Sequence, residues 1–210
     1  NRIQIEVIPG SGVNINKYKY IPLIKRNKEN LVFLYLGRLR WDKGIKELIE
    51  TIILVKKKYK KIKFKFLGQI EKNNPEYVNT KQLNKWIKAD IIEYLGESKD
   101  VRNHIANADC IILLSYREGL PKSLLEGSAM GRPLIATNVP GCKHVVIDTV
   151  NGYLCNLKDI QDTYQKILHF INLDFKKKSN MGLQGHLLTN KKFVNSIVIN
   201  KYLRIFNGIK

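Results

Sequence analysis

The chain has 210 residues, 44% of them apolar, which is enough for one sizeable domain with its own core. Its net charge is +19, a statement about partners rather than about fold. This composition excludes wholesale disorder, and no run of about 18 apolar residues is present to cross a bilayer.

In chain order, Val7-Ile-Pro-Gly-Ser-Gly-Val13 is a short apolar piece followed by flexible residues, and 1–22 reads as an interdomain linker. Leu31–Leu36 is a compact apolar run closed by Gly37, the pattern of a buried strand. Lys43–Tyr59 shows a helical stripe of apolar residues with charges opposite. Ile62–Leu67 alternates apolar residues with lysine and predicts a strand. Thr80–Lys88 predicts a helix, Ile91–Leu95 a strand and Asp100–Asn107 a short helix. Cys110–Leu114 is an unbroken apolar strand. Pro121–Met130 follows as a helix, with proline in its first turn and Gly131 past its end. Pro133–Thr137 and Gly152–Cys155 predict strands, with a short helix at Lys143–Ile147 between them. Asp159–Ile171, Phe175 onward and Lys192–Phe206 predict helices.

Strands alternating with helices, several of them apolar throughout, mean a parallel sheet covered on both faces. The expected fold is α/β, a Rossmann-like doubly wound sheet with C-terminal helices. The expected organisation is a linker at 1–22, a ligand-binding domain at 23–190 and a terminal helix at 191–210. In such sheets ligands bind at the carboxyl ends of the strands. The chemistry is therefore expected just after Leu36, Leu67, Leu95, Leu114 and Thr137.

Three stretches fall at those ends. The first is Gly37-Arg-Leu-Arg-Trp-Asp-Lys-Gly44, where Arg38 and Lys43 straddle a turn before a helix. Arginine offers paired planar donors and lysine a movable point charge, a combination suited to a diphosphate. Lys43-Gly44 lacks the preceding glycines of a P-loop. The second is Ser115-Tyr-Arg-Glu-Gly-Leu-Pro-Lys-Ser-Leu-Leu-Glu126. Glu118 falls in the loop, Gly119 permits close backbone approach, and the helix beginning near Pro121 points free amides and a positive dipole end at that loop. Glu126 lies about a turn and a half into the helix, and its carboxylate is a natural acceptor for vicinal ribose hydroxyls. The third is Ala136-Thr-Asn-Val-Pro-Gly-Cys-Lys143, where Gly141 serves either close ligand approach or a simple turn.

The cysteines Cys110, Cys142 and Cys155 are odd in number and have no CxxC spacing, which argues against a disulfide framework and a zinc site. The four histidines show no ligand spacing, so no metal or other cofactor is expected. A reducing, cytoplasmic compartment fits, peripheral at the inner face of the membrane. The chain begins at Asn1 without a signal peptide and reads as part of something longer. Three explanations compete for the charge: nucleic acid, an anionic membrane surface, or lysines on solvated helix faces. Nucleic acid is disfavoured because no aromatic interleaving or recognition motif accompanies the lysines.

The same stretches resemble the C-terminal domain of family-four glycosyltransferases, the retaining GT-B enzymes of capsule, lipopolysaccharide and lipid-linked glycan assembly. The likeness rests on Gly10-Ser-Gly-Val13, Gly37-Arg-Leu39 with Lys43-Gly44, Tyr94-Leu-Gly96 and Ala108-Asp109. It continues through Ser115–Glu126, Ala129-Met-Gly-Arg-Pro133, Val139-Pro-Gly141 and Asn151-Gly-Tyr153. Its most specific mark is a pair of glutamates separated by seven residues, matched here by Glu118 and Glu126.

The resemblance implies that Gly37, Arg38 and Lys43 meet the donor diphosphate and that Glu118 holds the donor sugar. It implies that Gly119, Leu120 and Pro121 contact sugar and phosphate through their backbone, and that Glu126 grips the ribose. Arg38, Lys43 and Glu118 would be the catalytic set. Where the commoner family pattern has glycine, Pro121 lacks an amide donor. The implied donor is a UDP-sugar, a UDP-N-acetylhexosamine in the branch most similar here. The implied acceptor is a polysaccharide or undecaprenyl-diphosphate-linked glycan, bound by the family's other domain, so this chain alone should be inactive. The alternatives are a non-catalytic basic module for membrane or nucleic acid, and a nucleotide-sugar epimerase relative.

Overall fold

The computed structural model describes residues 10–71 and 74–208. Six strands form one parallel sheet: β1 (Val32–Leu36), β2 (Lys63–Leu67), β3 (Glu93–Tyr94), β4 (Cys110–Leu113), β5 (Leu134–Thr137) and β6 (Gly152–Cys155). Their order is β3-β2-β1-β4-β5-β6. The fold is α/β and Rossmann-like, as the alternation of elements predicts. β4 and β5 are buried at every position, which is why they read as unbroken apolar runs.

Among the described residues eight α-helices connect and cover the strands: α1 (Ile45–Lys58), α2 (Thr80–Lys88), α3 (Arg102–Ala106), α4 (Lys122–Ala129), α5 (Pro140–Val145), α6 (Ile160–Asn172), α7 (Phe175–Lys192) and α8 (Asn195–Gly208). One face of the sheet packs under α1 and α6. There Phe33 stacks on Phe64 at 4.9 Å and meets Phe170 of α6 edge-on at 5.6 Å. Burying each ring contributes roughly 1.5–3 kcal/mol. The other face packs under α4, which is backed by α7. Among the described residues no helix is long and apolar enough to cross a membrane. The three cysteines are buried and unbridged.

Three local expectations need correcting. The short helix expected at Lys143–Ile147 instead begins at Pro140, whose fixed φ suits the first helical position, and Val146 is already extended. The strand expected at Ile91–Leu95 narrows to Glu93 and Tyr94 at the sheet edge, with the Leu95 amide donating to the Phe66 carbonyl just beyond it. The helix expected from Lys192 starts at Asn195, because Val194 pairs with Val13.

That pairing also bears on 1–22, of which residues 1–9 lie outside the described set. Residues 10–22 lie against the domain rather than free of it. Val13 is buried and accepts a hydrogen bond from the Asn195 amide. Tyr20 packs on Gly131 and His186, and the Ile21 carbonyl accepts from the buried Arg132 guanidinium.

Candidate functional site

In the order β3-β2-β1-β4-β5-β6 the chain reverses direction of winding between β1 and β4. Their connections leave in opposite directions there and open a crevice at the carboxyl edge. The loop after β1 carries Gly37 to Gly44, and the loop after β4 carries Ser115 to Pro121. The two stretches singled out for chemistry thus converge, although some 75 residues separate them.

Their convergence is enforced by backbone contacts. Gly44 sits in the left-handed region with φ of 69°, and a Cβ there would lie 2.0 Å from the Leu114 carbonyl oxygen. Only glycine allows that approach. The Tyr116 amide donates to the Asp42 carbonyl at 2.9 Å, and the Ser115 hydroxyl reaches the same oxygen. Thr137 at the end of β5 donates its hydroxyl to the Ser115 carbonyl.

An open cleft of about 450 Å³ results. Gly37, Arg38, Lys43, Glu118, Pro121 and Glu126 all line it, joined by Lys122 and Ser123 of α4. Lys43 Nζ donates to Glu118 Oε1 at 2.7 Å, and both side chains are 15% exposed. An ammonium has three donors, so this bond leaves two for other oxygens. Arg38 is half exposed and donates to Glu71 Oε1 at 3.1 Å. Pro121 is the N-cap of α4 and provides no side-chain cap, so the first-turn amides of Lys122 and Ser123 keep their positive dipole end beside the cleft.

Glu126 points into the same space, and burial pushes its carboxyl above the ordinary glutamate range. The Tyr18 phenol, Lys122 and Lys17 act in the opposite direction. Its raised value means that a charged Glu126 is under-solvated and gains from hydroxyl donors.

Two residues of these loops are held by packing. The Leu120 side chain rests on the core and Gly10, whereas the expectation for this residue concerns its backbone. Gly141 serves packing: a Cβ there would lie 2.3 Å from the Glu118 carbonyl oxygen, so α5 sits directly against the loop. Gly119 differs, for a Cβ on it would meet no atom within 4 Å. Its backbone faces open space.

Sequence reasoning missed the support behind the loop. The Tyr116 hydroxyl donates to both carboxylate oxygens of Glu47, at 2.8 and 2.9 Å, and Lys158 lies 4.4 Å over its ring. Glu47 reads in the sequence as one more charge on an amphipathic helix, and nothing there signals a partner 69 residues away. Glu71, which bridges Arg38 and Arg40, was equally silent. Among the described residues no group of three or more metal-ligating side chains comes together.

A basic loop after β1, the Glu118 loop after β4 and a helix N-terminus without a side-chain cap meet at the switch point of a doubly wound α/β domain. The chain belongs to the family of glycosyl transferases group 1, whose model matches residues 18–186. It is 26% identical over 216 residues to the N,N'-diacetylbacillosaminyl-diphospho-undecaprenol alpha-1,3-N-acetylgalactosaminyltransferase of Campylobacter jejuni, covering 98% of this chain and 55% of that protein. It is 26% identical over 183 residues to the capsular polysaccharide biosynthesis glycosyltransferase CapM of Staphylococcus aureus, covering 85% and 46%. The chain thus spans about half the length of these relatives. The crystal structure of Anabaena HepE in complex with UDP and glucose superposes with a TM-score of 0.79 at 18% identity, covering 94% of this chain and 55% of that one. That likeness is one of fold, half of a GT-B architecture.

Proposed function

We propose that this chain is the donor half of a retaining glycosyltransferase that takes a UDP-sugar, a UDP-N-acetylhexosamine. The acceptor is a polysaccharide or undecaprenyl-diphosphate-linked glycan at the cytoplasmic face of the membrane. The observation that carries the reading is the Lys43–Glu118 hydrogen bond at the switch point, beside the uncapped end of α4. It joins a group suited to phosphate with one suited to sugar hydroxyls. Membership of the family supports the reaction class. The names of the Campylobacter and Staphylococcus relatives support the acceptor class.

Transfer breaks the bond between the sugar's anomeric carbon and the β-phosphate oxygen, leaving negative charge on UDP. Arg38, Lys43 and the first-turn amides of α4 are the groups that stabilise it, so the proposal calls for no metal. Glu118 accepts from donor-sugar hydroxyls, the open backbone at Gly119 admits the sugar closely, and Glu126 accepts from the ribose. The acceptor is held by a part of the enzyme beyond these 210 residues, so the chain alone binds donor and transfers little or nothing.

Isothermal titration of the chain with UDP, ADP and GDP tests this. Saturable binding preferring UDP, weakened by Glu126→Ala, is expected. Binding of none of the three, or equal binding to the Glu126→Ala variant, contradicts it.

A further inference from the structure

The proposed donor cleft occupies the carboxyl edge of the sheet, and the opposite edge carries a different set of side chains. β2 alternates lysine with phenylalanine, unusual for an inner strand of a parallel sheet. Phe64 and Phe66 are buried, whereas Lys63 is exposed and Lys65 half-buried. A groove of about 410 Å³ lies on the lysine side. Its floor is Val32, Lys63 and Lys65, and one wall is Asn103, His104 and Asn107, in and just after α3. Arg26 and Asn30 close the rim.

No carboxylate lines this groove. Two carboxylates just outside it pair with cations of the groove itself: Asp109 accepts from Arg26 and the Val32 amide, and Glu93 pairs with Lys65 at 3.4 Å, where both side chains stay partly exposed. Lys63 has no ion-pair partner among the described residues. The flank extends the same charge. Seven of the ten residues from Lys56 to Lys65 are lysine, and Lys57, Lys58, Lys60 and Lys61 are exposed. The turn at Tyr59 places them where α1 ends and β2 begins. A five-residue strand is about 16 Å long, so this edge is separated from the donor cleft by the depth of the sheet.

We propose that this groove is a second anion site that accepts a phosphate group, with Lys63 and Lys65 as its floor and His104 and the side-chain amides of Asn30 and Asn103 as flanking donors. Ammonium and amide donors in a groove that no carboxylate lines suit a phosphate monoester or diester. The exposed lysines beside it favour a ligand presented on a larger anionic surface. The site is independent of the donor reading and stands if that reading falls.

The phosphate can come from a lipid headgroup or a soluble ester, and two arms separate them. In the first, the chain is sedimented with phosphatidylcholine vesicles containing phosphatidylglycerol. In the second it is titrated with glycerol 3-phosphate. Each arm compares the wild type, Lys63→Ala/Lys65→Ala and the control Lys191→Ala/Lys192→Ala, which removes equal charge from the end of α7. Thermal melting checks that all three fold alike. Binding in either arm that falls about tenfold or more in the groove variant, and far less in the control, supports the site and identifies its source. Equal loss in both variants, unchanged binding in the groove variant, or no binding in either arm overturns it.

Discussion

A methyl group placed on Gly141 would lie 2.3 Å from the Glu118 carbonyl oxygen and 2.6 Å from that of Gly119. Folded proteins essentially never bring a Cβ within 3.0 Å of another heavy atom, so α5 or the loop must retreat by about 0.7 Å. Overpacking of this kind costs about 1–3 kcal/mol. In a domain of this size that lowers Tm by about 3–10 °C. The loop is the softer partner, and it carries Glu118, whose bond to Lys43 is 2.7 Å long. A displacement approaching 1 Å at a binding loop weakens UDP affinity about tenfold or more. Gly119→Ala is the matched comparison, since its methyl group meets nothing within 4 Å. That variant keeps its melting temperature and loses affinity only for a ligand that approaches the Gly119 backbone. Calorimetric melting with UDP and UDP-N-acetylglucosamine titrations reads both effects. Wild-type melting and affinity in Gly141→Ala would refute the argument, as would equal destabilisation by the two substitutions.

Two further substitutions separate stability from binding. Burial raises the Glu126 carboxyl above its ordinary value of 4.5, so the folded chain binds that proton more tightly than the unfolded chain. Stability from this group therefore increases as pH falls through its folded value toward 4.5. Glu126→Gln should melt higher than wild type at pH 7, with a flatter pH profile, yet bind UDP more weakly. A variant melting lower at pH 7 would contradict this. Tyr116→Phe keeps the ring under Lys158 but removes both hydrogen bonds to Glu47, which stays buried. It should cost about 1–3 kcal/mol in melting and weaken UDP binding beyond what Lys158→Ala does. Unchanged affinity would show that the pair supports only the fold.

The strands were legible because parallel strands buried on both faces must be apolar throughout, as Cys110–Leu113 and Leu134–Thr137 are. Their alternation with helices was enough to locate the carboxyl edge, and with it Arg38, Lys43, Glu118 and Glu126. The pairing of Lys43 with Glu118 was not legible, since it depends on β1 and β4 being neighbours in space. Gly141 reads as a turn glycine until the carbonyl it touches is known. The start of α5 was signalled by Val139-Pro140, a strand end before a proline suited to the first helical position. The docking of Val13 on Val194 joins the two ends of the domain, and no local periodicity reports such a contact.

The central claim is that the cleft between β1 and β4 holds a nucleoside diphosphate. A crystal structure of the chain soaked with UDP tests it most directly. The diphosphate is expected between Lys43 and the first turn of α4, with Arg38 within reach and the ribose hydroxyls on Glu126. UDP bound elsewhere, or with its ribose far from Glu126 and its phosphates far from Lys43, would contradict it.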